Sequence, residues 1–186
     1  MRKLILLPAL VLLVPAALAQ QGLTTEWDIQ KTLKDIEAHA RRMIPVIEEI
    51  KPEEWIEKGA PEAYVQQAQA LKAEYDYAAR AAAEVAARPD SLGKGIELYL
   101  RLNASDSMLN SLLKGVRNYQ NPALADLIEN VSLEGDTARS RYRDYLVELA
   151  NRKETEFKIA DQEAQRCRNM IIRQPAPKPQ RPEQKK

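Results

Sequence analysis

Between its proline and glycine positions the chain repeats apolar residues at alternating intervals of three and four. That interval marks one face of an α-helix, and no stretch sustains the period of two that a half-buried strand requires. Four segments carry the pattern. The first runs Ile29, Leu33, Ile36, Ala40, Met43, Ile47, Ile50. Thr25, with Asp28 three residues on, is a capping pair for its start. Pro45 falls inside the segment and predicts a kink or local break, because its nitrogen carries no hydrogen and its ring crowds the preceding turn. In the connector that follows, "KPEEWIEKGAP", Pro52 opens a short turn and Gly59 closes it.

The second segment starts at Pro61 and carries Tyr64, Ala68, Leu71, Tyr75, Ala78, Ala82, Val85. Its spacing is heptad-like and its residues small, so a neighbouring helix can approach closely. "RPDSLG" ends it: Pro89 stops the helix, and Asp90 or Ser91 caps the next. The third segment runs from about Leu92 to Tyr119, with Leu92, Ile96, Tyr99 and Leu102 leading to Leu109, Leu112, Val116 and Tyr119. The polar stretch "NASDS" in its middle predicts a break near Asn103 to Ser105. Asn121 then caps, and Pro122 starts, a fourth segment. Leu124, Ile128 and Val131 lead there to Ala138, Tyr142, Tyr145 and Leu149, and after an offset to Phe157, Ala160, Ala164, Cys167 and Ile171. As one helix this would be far longer than the other three, which predicts a break or bend at Gly135 and a final stretch that overhangs the rest. The expected fold is all-α: an antiparallel bundle of four or five helices with short loops and a long C-terminal helix.

The two ends of the chain read differently. "MRKLILLPALVLLVPAALAQ" has a short basic start, an uncharged apolar run from Leu4 to Val14, and small residues before Ala19. This is the order of a secretory signal peptide, cleaved after Ala19. The run is too short to span a bilayer, which takes about 20 apolar residues. No later stretch is apolar enough to do so, and the protein is expected not to be an integral membrane protein. Residues 1–19 are therefore read as a signal peptide, 20–24 as a short flexible N-terminus, 25–172 as one bundle domain and 173–186 as a disordered tail. The tail, "RQPAPKPQRPEQKK", is rich in proline and basic residues, which favours an extended, solvated chain. The expected location is the bacterial periplasm or the medium.

Cleavage takes the formal charge from +1 to −1, and the basic tail leaves residues 20–172 mildly acidic. A nucleic-acid binder would carry a basic stripe on the fold itself, so nucleic acid is not an expected partner. With one cysteine, Cys167, the chain has no internal disulfide. In an oxidising compartment Cys167 is a candidate for an intermolecular disulfide, and so for a homodimer.

His39 is the only histidine, which removes di-iron sites needing Glu-x-x-His on two helices and zinc sites built on several histidines. No phosphate-cradling Gly-rich loop and no Gly-x-Ser-x-Gly elbow occurs. No catalytic residue, cofactor or metal ligand is assigned. Counting back from each turn places His39, Tyr75, Asn103 to Asp106, and Gly135 to Arg139 at one level of the bundle. His39, Tyr75, Tyr99, Asn103, Asp106 and Arg139 are thus the candidate positions of a mid-bundle layer, read either as a structural polar layer or as a small ligand pocket with Gly135 leaving room. Most tyrosines lie on stripes, where they are expected to bury the ring and keep the hydroxyl at the bundle edge. The favoured function is non-enzymatic: an exported interaction or scaffold protein of the cell envelope, meeting a protein or an anionic polymer through its helical faces or its tail. The alternative is a small-molecule binding or sensing bundle using the Tyr/Asp/His layer.

Overall fold

All seven apolar residues of the first stripe, Ile29 to Ile50, are buried, none more than 5 % exposed. They form the inner face of α1 (Glu26–Glu48) and of the turn beyond it. The computed structural model describes residues 26 to 173. The expected signal peptide, the 20–24 segment, the Thr25 cap and tail residues 174–186 lie outside the described residues. After α1 come a single helical turn α2 (Glu53–Ile56), then α3 (Ala63–Ala87), α4 (Leu92–Gly115), α5 (Pro122–Leu133) and α6 (Asp136–Arg173). Among the described residues there is no strand, and no helix is long and apolar enough to cross a membrane. The expected all-α antiparallel bundle with a long C-terminal helix is the structure observed.

Four columns make the bundle: α1, α3, α4, and α5 continued by α6. α1 packs on α3, α3 on α4, and the fourth column closes the ring against both α1 and α4. The break in that column falls where the sequence predicts it, with α5 ending at Leu133 and α6 starting at Asp136. Asn121 Oδ1 accepts a hydrogen bond from the Ala123 amide at 2.9 Å and Pro122 occupies the first turn of α5, satisfying one donor and omitting another where helices lack partners. Gly59 closes the α2 connector with a φ of +85°, a conformation that costs a side-chain-bearing residue steric strain.

Three local expectations are corrected. Pro45 does not break α1, which runs on to Glu48; the proline sits in the last turn, so only Val46 to Glu48 follow it in the helix. The break near Asn103 to Ser105 is absent, and α4 is continuous. Its polar residues satisfy themselves within the helix: the Ser105 hydroxyl donates to the Arg101 carbonyl at 2.9 Å and the Ser107 hydroxyl to the Asn103 carbonyl at 3.3 Å. The inward face at the start of α4 is Gly95, Leu98 and Leu102, while Ile96 is 43 % exposed and Tyr99 half-buried. Gly95 explains this shift. A Cβ there would stand 2.7 Å from Leu146 Cδ2, and Tyr142 of α6 donates its hydroxyl to the Gly95 carbonyl at 3.0 Å. The glycine is a seat for α6, which a search for apolar residues passes over.

α4 does not end as an α-helix. Residues Val116–Gln120 form a π-helical turn. Gln120 at its end ties down the α1–α2 connector. Its Oε1 accepts from the Lys51 amide at 3.0 Å and from the Trp55 indole at 3.2 Å, and its Nε2 donates to the Glu49 carbonyl at 2.7 Å. Trp55 is fully buried beneath Tyr64 and Tyr119, with ring centroids 5.5 and 6.1 Å away. Trp55 is therefore core, and the side chain of Trp27 lies outside the described residues. Tyr142 departs from the edge pattern expected of the tyrosines: it is fully buried, and its hydroxyl bonds inside the bundle. Tyr145 keeps to it, donating to the Pro89 carbonyl at the end of the bundle at 3.0 Å.

Candidate functional site

Helical spacing brings part of the expected polar layer together. His39 projects from α1, Tyr75 from α3, Asp106 from α4 and Arg139 from α6, and with Ile36, Ala40, Leu102 and Gly135 they line one cavity. Arg139 and Asp106 form an ion pair. Each side chain is largely covered, 17 % and 26 % exposed, so the carboxylate replaces water that the guanidinium loses on burial. Arg139 also reaches Asp136 at 3.5 Å. Two of the six candidates fall outside the cavity lining. Tyr99 is half-buried against the core, and Asn103 is half-buried on the flank of α4.

His39 is 7 % exposed, and among the described residues neither Nδ1 nor Nε2 has a hydrogen-bond partner. Its ring lies over Gly135, where an added Cβ would stand 2.5 Å from Cδ2 and Nε2. The bend between α5 and α6 is thus shaped around the imidazole. Burial holds the His39 pKa below its ordinary 6.5, the cationic Arg42 and Arg139 push the same way, and Glu134 and Asp136 oppose them. Burial also pushes the Tyr75 phenol up to about 12. At neutral pH the layer therefore holds a neutral imidazole, a neutral phenol and a closed ion pair.

The cavity they enclose measures about 10 Å³. One water needs roughly that much room, and a metabolite needs a few hundred Å³. Larger clefts lie at the surface along the α1–α6 seam. One of about 220 Å³ is bounded by Asp35, His39, Arg42, Glu134 and Arg141. Another, about 360 Å³, lies further along, beside Ile29, Thr32, Arg141 and Tyr145. Among the described residues no group of three His, Cys, Asp or Glu side chains is placed to hold a metal ion.

No family, curated protein or solved structure matches this chain. The functional reading rests on its own geometry.

The second candidate surface is α6 itself. Its inner face, Tyr142, Tyr145, Leu146 and Leu149, is buried against α1 and α4. Beyond Lys153 the bundle ends, and every residue from 154 to 172 is exposed. Nineteen residues of helix project for about 28 Å at 1.5 Å per residue. Along them Phe157 is 73 %, Ile171 68 % and Ile172 79 % exposed. Cys167 is exposed with a free thiol, so its stripe position places it at the surface of the overhang and not in the core.

Proposed function

We propose that this is an exported, non-enzymatic interaction or scaffold protein of the cell envelope, and that the overhang of α6 is its contact element. The observation that carries the reading is the 19-residue projection of helix with exposed Phe157, Ile171 and Ile172. Large exposed apolar side chains grouped on one element mark surfaces that associate, and an amphipathic helix is a common way to do so. Export follows from the leader-like residues 1–19. The basic tail after Arg173 adds a salt-sensitive attraction to anionic envelope polymers. The small-molecule alternative has less support, because the space among His39, Tyr75 and Asp106 is only about 10 Å³.

Two shortened chains test the proposal, one ending after Lys153 and one after Arg173. Each is expressed with its leader and assayed for cross-linked complexes in envelope fractions. Loss of complexes only when residues 154–173 are removed is the expected result. Complexes undiminished by that removal contradict it.

A further inference from the structure

The partner that the overhang best fits is a second copy of itself. Phe157, Ala160, Ala164, Cys167 and Ile171 are spaced three, four, three and four apart, the a/d rhythm of a coiled-coil seam. At 3.6 residues per turn they fall within an arc of about 80°, centred about 30° from the direction in which Tyr142, Tyr145, Leu146 and Leu149 face the bundle. The overhang thus continues the inner face of α6 past the point where α1 and α4 stop covering it.

That direction decides the orientation of a pair. In a parallel two-fold pair both bundles lie at the same level, and the second copy's α6 would enter space already held by the α1 and α4 that pack on the first. An antiparallel pair sets the bundles at opposite ends of the paired overhangs, and each covers the other's seam. Charge and size select a register within that orientation. With Ala164 of one copy opposite Cys167 of the other, Ala160 meets Ile171, small against large. The flanking Asp161 of each copy then faces Arg168 of the other, giving two attractive pairs at the positions that set coiled-coil orientation. Sliding one copy by a heptad instead sets Asp161 against Asp161 and Glu163 against Glu163, which repel. Asp161 and Arg168 are exposed and make no ion pair within the described residues, so both are free for this role.

We infer that the protein forms an antiparallel homodimer through residues 157–171 of α6, with Asp161 and Arg168 pairing across it. The inference rests on the contact role proposed for the overhang and names its partner. The test is sedimentation equilibrium of the full mature chain over a range of concentrations, in reductant. The mass should rise toward twice the monomer, fall back with Asp161→Arg or with Arg168→Asp, and recover in the double variant; both residues are exposed, so the fold is not at stake. Ala164→Cys sets a second thiol opposite Cys167 and should yield a reducible dimer without reductant.

Three results would overturn the inference. A single monomer mass at every concentration would remove self-pairing. A native Cys167–Cys167 disulfide requires Cα atoms within about 7 Å and would mean parallel pairing. A monomer whose overhang is nevertheless protected from hydrogen exchange would mean that other residues of the same chain cover the seam. If the chain is monomeric but loss of residues 154–173 still abolishes envelope complexes, the contact role survives and the self-partner does not. If that loss changes nothing either, both fall.

Discussion

His39 is the residue whose surroundings are most demanding. It is nearly sealed, both ring nitrogens lack partners among the described residues, and its ring fills the space that Gly135 leaves. Burial favours the uncharged imidazole, and the sign of its effect on stability follows. The unfolded imidazole titrates near 6.5 and the folded one below it, so as the pH falls from 6.5 the unfolded chain takes up a proton that the folded chain refuses. The stability contribution is whole above that pH and declines through the window down to the lowered folded value. Between about pH 7 and pH 5 the wild type should lose more stability than a His39→Gln variant in denaturant titrations; equal losses would show that the imidazole is not held neutral. Counting residues back from the turns brought His39, Tyr75, Asp106 and Arg139 to one level, because level along a helix depends only on residue number. Azimuth and reach are less forgiving. Asn103 is about 60° round the helix from Asp106, and Tyr99, although on nearly the same face, lies about 10 Å along the axis.

At the scale of elements, the stripes of α1 and α3 were legible because their buried positions are large or small apolar residues in unbroken rhythm. α4 was misread at its start because its contact with α6 is made by a glycine. Tyr142 reaches the Gly95 carbonyl from a fully buried position. Tyr142→Phe keeps the ring and deletes that bond, leaving a buried carbonyl with one acceptor site unused. It should lower unfolding stability by about 1–2 kcal/mol, with faster amide exchange at the start of α4 and no change near Trp55. An unaltered unfolding midpoint would mean that the hydroxyl does not fix α6 to α4. The bend at Gly135 was foreseen from helix length alone. The π-helical turn at Val116–Gln120 was not, since one extra residue in a helical turn leaves the apolar spacing almost undisturbed. Its effect is to carry Gln120 to the connector backbone and the Trp55 indole.

The whole molecule divides into a bundle and a projecting helix. The bundle has its own core, from Ile29 through Leu149, and nothing in that core comes from residues 154–172. The overhang was legible as a length mismatch between the last stripe and the other three, and the structure adds that its apolar face continues the inner side of α6. What it meets could not be read from spacing alone, because a stripe of this kind serves a neighbouring helix of the same chain or of another equally well. An isolated helix of this length is marginal in water, so its persistence as ordered helix depends on being covered. Amide hydrogen exchange of residues 20–186 across a dilution series tests this most directly. The account predicts steady protection of residues 136–150 at every concentration, and protection of residues 154–172 that grows as concentration rises. Exchange in residues 154–172 that is indifferent to concentration, whether fast or slow throughout, would contradict it.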